Sequence, residues 1–366
     1  MRIKVFSVGA CGNKVLEAAI KVGVISEEDS VMINSTSKDF PKDFNGQKII
    51  ISPTDVGAGK ERHISKAYLV NSIKEKVFDK IDLTKYSTVA ILTSTAGGTG
   101  SGSAPMLASY VSKVLVKNVH IVNFTGFQSD IRELANTVEF FKELDENIIV
   151  HNISNLAFLE AADGNQTRAE ELANNEFVKQ FKVWSGQLLI PGDQNIDDTD
   201  IIKLSNTYGY TLTEYKELDK SIGDSSDYDK IIKRMIYESK SIQSTNPCPT
   251  RIGVILNLKE TSQDALGDEF AILKDHFGMP YECFKHIQYD GKKEYIAYIV
   301  AGMKMPIDEL TKIYDKYLEQ SKLIDKQKDS FFDSVKEMTL LDEDEKFNMI
   351  KPVKKGISAE DFLANL

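Results

Sequence analysis

The chain has 366 residues, of which 42% are hydrophobic and 27% charged. This composition is typical of a folded globular protein and excludes a chain that is disordered throughout. Acidic residues outnumber basic ones by 55 to 45, for a net charge of −10, so the surface repels phosphate backbones and we expect no direct contact with nucleic acid. On a soft prior of about 150 residues per domain, the length predicts two domains.

The cysteines and the apolar runs indicate the compartment. The chain has three cysteines, none in a CxxC pair: Cys11, Cys248 and Cys283. Such a set cannot form a disulfide framework and favours a reducing environment. The N-terminal sequence shows no signal-peptide pattern, and no apolar run approaches the roughly 18 residues that span a bilayer. We therefore expect a cytoplasmic protein without membrane contact.

The first 160 residues alternate short apolar runs with amphipathic segments. Strands are predicted at Ile3–Val8, Val31–Asn34, Thr88–Thr93, Val119–Phe124 and Asn147–Val150. Helices are predicted at Asn13–Val22, Ile64–Phe78, Pro105–Val116 and Ile131–Leu144. This alternation predicts an α/β fold with a doubly wound, mainly parallel sheet. Ligands of such sheets bind at the carboxyl ends of the strands.

The rest of the chain is predicted to be more helical. A long central helix, with a capping-box spacing from Thr167 to Glu170, covers 166–190 and ends at Pro191. The predicted segments after it are an acidic loop and helical connection over 191–250 (helical over about 200–241), a smaller α/β domain over 251–305, a charged helix over 306–340 and a flexible tail over 341–366. The first 165 residues are predicted to form the nucleotide-binding domain.

A glycine-rich loop lies between the predicted strand Thr88–Thr93 and the helix after it. It contains Gly97, Gly98, Gly100 and Gly102 within six residues. Glycines let a backbone approach phosphates closely, and the helix N-terminus adds positive potential. The hydroxyls of Thr99 and Ser101 add two donors. The spacing fits neither the P-loop nor GxGxxG, and the simplest alternative is a glycine-rich turn without a ligand.

Two further loops have the same character. Gly9, Ala10 and Cys11 follow the first predicted strand, and Gly57, Ala58 and Gly59 precede a predicted helix, with Lys60 beside them as a possible counter-charge for a terminal phosphate. A tight strand-to-helix turn and a plain surface loop are the respective alternatives. If these loops share one edge of the sheet, they predict a phosphate site.

Taken together, these motifs resemble the tubulin/FtsZ superfamily of GTPases. The chain has GGTGSG after a strand, with Ala96 in place of the family's first glycine, and GACGN near the N-terminus, with Ala10 where tubulin has glutamine. About a hundred residues later, Asn195, Asp197 and Asp200 match the family's NxDxxD pattern. The resemblance covers roughly residues 1–305 and implies a GTPase fold with a central helix.

The resemblance implies a set of nucleotide contacts for GTP and GDP. Asp130 falls where the family has a ribose-binding acid and Asn174 where a polar residue reads guanine, while Glu170 replaces a base-stacking aromatic. Asn34 and Asn152 are weaker candidates, with turn or cap duty as the alternative. The phosphate-binding positions would be Gly9, Ala10, Cys11, Gly57, Ala58, Gly59, Gly97, Gly98, Thr99, Gly100, Ser101 and Gly102. Mg²⁺ would be held by phosphates and water, with no dedicated metal site on the protein.

The acidic loop is predicted to be catalytic. The resemblance implies that Asn195, Asp197 and Asp200 act on the nucleotide of the next molecule in a head-to-tail filament, where an ionised carboxylate can orient the attacking water. The alternative is that these aspartates cap the following helix.

Within the family, the long helix after Pro306 and the ending AEDFLANL are similar to the bacterial TubZ branch, which segregates plasmid or phage DNA. This similarity implies a DNA-bound adaptor protein as a partner, contacted through the tail. An FtsZ-like role in cell division is the alternative. Outside filament biology, a dinucleotide-dependent oxidoreductase and a non-catalytic nucleotide-binding scaffold remain open.

Overall fold

The computed structural model describes residues 1–259, 266–290 and 293–337. Within them, ten strands form one sheet in the order β3-β2-β1-β4-β5-β6-β7-β10-β8-β9. The strands are β1 Ile3–Val8, β2 Ser30–Asn34, β3 Gln47–Ile50, β4 Thr88–Ser94, β5 Asn118–Thr125, β6 Ile149–Ser154, β7 Gly209–Glu217, β8 Arg251–Asn257, β9 Glu282–Gln288 and β10 Tyr295–Met303.

Strands β1 to β6 are parallel to their neighbours, so the predicted doubly wound sheet is confirmed. The order of the strands reverses between β1 and β4. The helices that follow these two strands pack on opposite faces of the sheet, which opens a crevice at the carboxyl ends of the strands. All six residues of β1 are buried. Burial on both faces explains why these strands appear in the sequence as continuous apolar runs.

Helices cover both faces of the sheet. One face of the sheet packs against helices that carry Leu69 and Leu107, and the other face packs against helices that carry Leu16 and Phe177. The helices are α1 Gly9–Lys21, α2 Arg62–Lys74, α3 Thr99–Lys113, α4 Ile131–Lys142, α5 Gln166–Trp184, α6 Asp198–Ser205, α7 Ser225–Glu238, α8 Ala271–Phe277 and α9 Ile307–Glu337. The described part of the chain contains no helix long and apolar enough to span a membrane.

Two helices begin earlier than the sequence predicts. Helix α1 starts at Gly9 rather than Asn13, and α3 starts at Thr99 rather than Pro105. A proline inside a helix has no N–H for the carbonyl four residues before it, here that of Ser101. Arg62 supplies that carbonyl with two donors instead, at 3.3 Å from Nε and 2.9 Å from Nη2. The helix therefore continues through Pro105 because a side chain from α2 satisfies the freed acceptor.

The predicted helical region over 200–241 is wrong in its middle. Residues Gly209–Glu217 form β7, which pairs in parallel with β6 and antiparallel with β10. The segment alternates aromatic, aliphatic and threonine side chains, and Tyr210 and Leu212 are buried on one face. Such residues favour strands once a neighbouring strand covers them. Strand β7 thus joins the first six strands to β8, β9 and β10 in one continuous sheet.

The long central helix is confirmed, with different ends. Asn165 caps α5 by accepting from the N–H of Arg168 at 3.0 Å, so the cap lies two residues before the predicted Thr167. The helix ends at Trp184, before Pro191. The helix after Pro306 is confirmed as α9, whereas the tail predicted over 341–366 lies outside the described residues.

Helix α5 crosses one face of the sheet from edge to edge. Near its start, Glu170 pairs with Lys14 of α1 at 3.1 Å. Helix α1 begins at the carboxyl end of β1. Just beyond its end, Gln187 donates to the carbonyl of Val24 at 3.0 Å, in the loop that leads into β2. Nineteen helical residues span about 28 Å. The segments before and after α5 therefore lie at opposite edges of the sheet.

A buried pair of histidines packs under the end of α5. His120 and His151 hydrogen-bond through Nδ1 and Nε2 at 3.0 Å, and the indole of Trp184 stacks on both. Burial lowers the pKa of His120 to about 4 and lowers that of His151 well below its usual range. Both rings are therefore neutral in the folded protein at pH 7.

We predict that acid destabilises the fold through this pair. Unfolded histidine binds a proton below about pH 6.5, whereas the folded pair stays neutral, so its stabilisation is complete above pH 6.5 and is lost as the pH falls towards 4. Each histidine contributes about 1.4 kcal/mol per pH unit to the slope. The free energy of unfolding in urea, measured at pH 7.5, 6 and 5, should depend less steeply on pH in His151→Phe than in the wild type. The control is His63→Gln, whose side chain is exposed and whose pH dependence should be that of the wild type.

Candidate functional site

The loops that follow β1 and β4 meet at the crevice where the strand order reverses. A Cβ atom built on Gly9 would lie 3.0 Å from the backbone nitrogen of Gly100, and Gly9 has φ +81°. The backbones of the two loops therefore touch, which only glycine allows at this position. The structure brings together the first two predicted phosphate loops.

The third loop, which precedes α2, packs against the glycine-rich loop. A Cβ atom on Gly98 would lie 2.8 Å from both the nitrogen and the Cα of Lys60. The amide of Asn136 on α4 donates to the carbonyls of Lys60, Ala96 and Gly97 at 3.0–3.2 Å. One buried side chain therefore ties two loops together, and all three loops share the carboxyl edge of the sheet.

The helices that begin at these loops have uncapped N-termini. No side chain caps α1, α2 or α3, and none of them has an acidic residue in its first turn. By contrast, side chains cap α4, α5, α6 and α7. The first N–H groups of a helix need acceptors and carry a partial positive charge. Three such ends at one edge therefore form a site suited to an anion with several oxygens.

Two predicted hydroxyl donors are bonded within the protein. The Thr99 hydroxyl lies 2.7 Å from that of Ser35, which follows β2, and the Ser101 hydroxyl donates to the carbonyl of Gly97. A Cβ atom on Gly97 would meet nothing within 4 Å. Gly97 therefore faces open space, whereas Gly98, Gly100 and Gly102 are required by contacts with the protein's own atoms.

Gly57 and Gly59 of the third loop also have open space on their Cβ side, and both are exposed. Ala58 between them is buried, and its carbonyl accepts from the N–H of Glu61 at 2.8 Å. Of the first loop, Ala10 is exposed. These positions leave backbone accessible beside the uncapped helix ends.

Cys11 is in the first turn of α1, and Asn174 is on α5, which contacts α1 through the pair of Lys14 and Glu170. Burial and the nearby carboxylate of Glu170 raise the pKa of Cys11 to about 12, so its thiol is neutral. Asn174 is one helical turn after Glu170, half-buried, and its side chain makes no hydrogen bond to any described residue. Its amide can therefore bind a group that is not part of this chain.

Three predicted contacts have partners of their own. Asn34 is buried at the end of β2, where it donates to Asp39 and accepts from the N–H of Ser35. Asn152 donates to Asn123 and accepts from the N–H of Ile242, and is 1% exposed. Asp130 caps α4 and pairs with Lys60. Asn34 thus has the turn duty that we gave as its alternative, whereas Asn152 bonds to a neighbouring strand and to a loop, which is neither turn nor cap duty.

The acidic loop follows α5 and packs against β9, where the N–H of Ile196 donates to Nδ1 of His286 at 3.1 Å. Asn195 closes a turn with both backbone groups of Gly192, and Asp197 caps α6 by accepting from the N–H of Asp200 at 2.8 Å. The side chain of Asp200 has no hydrogen-bond or ion-pair partner among the described residues. Capping therefore accounts for Asp197 but leaves Asp200 available.

The sequence analysis missed Asn136 and Arg62, which hold the loops in place. Each is at most 9% exposed. Asn136 lies one helical turn before the buried Phe140, so a polar residue one turn from an apolar one on the same face is the available signal. Arg62 has no comparable signal, because its acceptor, the Ser101 carbonyl, is 39 residues away.

Comparison with known proteins agrees with this geometry. Residues 2–162 match the family model described as Tubulin/FtsZ family, GTPase domain. The cell division protein FtsZ 1 of Pyrococcus horikoshii is 26% identical over 227 residues, which cover 60% of this chain and 59% of that protein. The chain thus spans about three fifths of the length of this curated relative.

Among solved structures, CetZ from Methanosaeta thermophila superposes with a TM-score of 0.70, at 16% identity over 92% of this chain and 97% of the other. A GTPγS-form protofilament of TubZ from Bacillus thuringiensis serovar israelensis gives 0.67, at 14% identity over 90% and 94%. At these identities the likeness shows a shared fold.

We predict that the glycines of the loop differ in their contributions to stability. Gly98→Ala should destabilise the protein by about 1–3 kcal/mol, because its methyl group would overlap backbone atoms of Lys60. Gly97→Ala should change the free energy of unfolding by less than about 1 kcal/mol, because its methyl group meets open space. Urea unfolding of both variants checks this, and equal losses would contradict the loop packing described above.

Proposed function

We propose that this chain, whose residues 2–162 carry the GTPase domain of the tubulin/FtsZ family, binds GTP at the carboxyl edge of its sheet and hydrolyses it between subunits of a head-to-tail filament. The observation that carries the proposal is the separation of two elements by the length of α5. The anion site lies at one end of α5, and Asp200 lies beyond the other.

The phosphates of GTP or GDP would bind at the uncapped starts of α1, α2 and α3. The backbone N–H groups around Gly9–Cys11, Gly57–Gly59 and Gly97–Gly102 would donate to them. Mg²⁺ would be held by phosphate oxygens and water. A base would bind near Cys11 and Asn174, and the free amide of Asn174 supplies both a donor and an acceptor for it.

Hydrolysis would require a second subunit. The acidic loop is about the length of α5, some 28 Å, from the anion site of its own chain, which is too far for a carboxylate to orient a water there. A second copy stacked head to tail would bring Asp200 to a neighbour's nucleotide. Such a contact does not close on itself and produces a filament. The B. thuringiensis TubZ protofilament supports this proposal through its shared fold.

We predict that Asp200→Asn binds GTP and polymerises like the wild type but hydrolyses GTP about a hundredfold more slowly, because it loses a charged water-orienting group. The matched control is Asp198→Asn, an exposed carboxylate in the same turn of α6 that lies outside the motif. Phosphate release and light scattering measure the two properties separately. Equal rates for both variants would contradict the catalytic assignment.

A mixing experiment tests whether the site is shared. Gly97→Asp places a carboxylate in the open space at the anion site, so this variant should fold but not bind GTP. Mixed with Asp200→Asn, it can offer an intact acidic loop to GTP bound by the other variant, and turnover should partly recover. Turnover per wild-type subunit that stays constant on dilution far below the assembly threshold would contradict a shared site.

We further propose that the filament moves plasmid or phage DNA through a DNA-bound adaptor protein. The fold shared with TubZ and the 31-residue helix α9 support this role, while the sequence likeness to FtsZ supports cell division as the second candidate. The genes beside this one would separate the two, since partition requires a small DNA-binding neighbour.

We predict that a chain truncated after residue 340 hydrolyses GTP at the wild-type rate but loses adaptor binding. The removed segment carries apolar side chains among charged ones, including Phe347, Ile350, Phe362 and Leu363, a pattern that suits ordering on a partner. Binding to the adaptor–DNA complex by light scattering or co-sedimentation measures the effect. Undiminished binding of the truncated chain would show that the adaptor contact lies elsewhere.

A further inference from the structure

We propose that Lys60 distinguishes a nucleoside triphosphate from a diphosphate, and that Asp130 and Glu133 hold its ammonium group until a terminal phosphate replaces them. This inference rests on the proposed function and concerns how the site recognises its substrate. It also assigns Asp130 a different role from the ribose contact that the family resemblance implies.

The backbone of Lys60 is fixed against the glycine-rich loop. A Cβ atom on Gly98 would lie 2.8 Å from the nitrogen and the Cα of Lys60. The carbonyl of Lys60 accepts from the amide of Asn136 at 3.1 Å. Its φ is +64°, in the left-handed region that side chains other than glycine rarely adopt. Lys60 thus has a defined backbone position two residues before α2, one of the three uncapped helices.

The ammonium group of Lys60 is held but accessible. Its Nζ is 2.7 Å from Oδ2 of Asp130 and 3.5 Å from Oε1 of Glu133, and 47% of the side chain is exposed. An ion pair this exposed is weak, contributing about 0–1 kcal/mol. A terminal phosphate carries more charge than one carboxylate and offers several acceptor oxygens. Exchange of carboxylate for phosphate is therefore favourable.

Both oxygens of Asp130 are already engaged. Oδ1 accepts from the N–H of Glu133 at 2.9 Å as the cap of α4, and Oδ2 accepts from Lys60. The bond to Lys60 lowers the pKa of Asp130, so the carboxylate stays charged. Asp130 therefore acts on the site through Lys60, as a positioning residue.

Charge balance at this corner of the site gives Lys60 its selectivity. Glu61, Asp130 and Glu133 are close together, and Arg132 pairs with Glu61 at 2.8 Å. Lys60 is thus the cation that offsets Asp130 and Glu133 beside the loops. Without it, two carboxylates would repel the added charge of a third phosphate. The affinity for a diphosphate, which would be held on the loops after β1 and β4, would depend less on the third loop.

The test compares the dissociation constants of GTPγS, a slowly hydrolysed analogue, and of GDP by calorimetry on the full chain. Lys60→Met should weaken GTPγS binding about tenfold or more, the value of one charge-assisted hydrogen bond, and change GDP binding less than twofold. Lys60→Arg should keep most of the preference. The matched control is Arg132→Met, which also removes a cation that tethers this loop but should leave the ratio of the two constants unchanged.

Asp130→Asn separates the two roles for that residue. Asparagine caps a helix as well as aspartate does, so α4 should keep its start. Removing the competing charge should tighten GTPγS binding at least twofold and leave GDP binding unchanged, whereas loss of a ribose contact would weaken both nucleotides equally.

The outcomes distinguish this inference from the function on which it rests. The inference would be overturned by an unchanged ratio of the two dissociation constants in Lys60→Met, or by equal weakening of both nucleotides in Asp130→Asn. In either case, nucleotide binding by the wild type would leave the proposed function standing. A wild-type chain that binds neither nucleotide would overturn the proposed function itself. A collapsed ratio in Lys60→Met, with Arg132→Met like the wild type, would support the exchange.

Discussion

The span of helix α5 is the constraint on which the functional arrangement depends. Phe177, Phe181 and Trp184 anchor it in the core under β5 and β6. Because one face of the helix is packed in the core, the segments before and after it are held about 28 Å apart within one chain. In the function proposed above, a carboxylate in this position would act on a second molecule, and the requirement for assembly would be a consequence of the length of one helix.

The anion site itself depends on contacts between elements that are far apart in sequence. The glycine-rich loop is held by Arg62 of α2, which satisfies the carbonyl left free by Pro105, and by Asn136 of α4. Three helix starts without caps would be costly if they pointed into protein. They lie at a shared edge of the sheet, next to exposed backbone at Ala10, Gly57 and Gly59.

Fold prediction from the sequence succeeds where burial is complete and fails where it is partial. Strands such as β1 are covered on both faces and appear as apolar runs, so they are easily identified. Strand β3 has one buried residue in four and carries no such run. The sequence predicts a helix where β7 lies, because the partners of this strand, β6 and β10, are roughly 60 and 85 residues away along the chain.

The sequence by itself determined that this is a doubly wound α/β protein with phosphate-type glycine loops and a detached acidic motif, because glycine spacing and apolar periodicity are local properties. It could not determine which side chains at those loops are already bonded to other residues of the protein. The pairing of Lys60 with Asp130, the bond of Asn152 to Asn123 and the use of the Thr99 hydroxyl by Ser35 were decided only by tertiary structure. Each joins residues brought together by the sheet, and hydrogen bonding between distant residues leaves no pattern in a single chain.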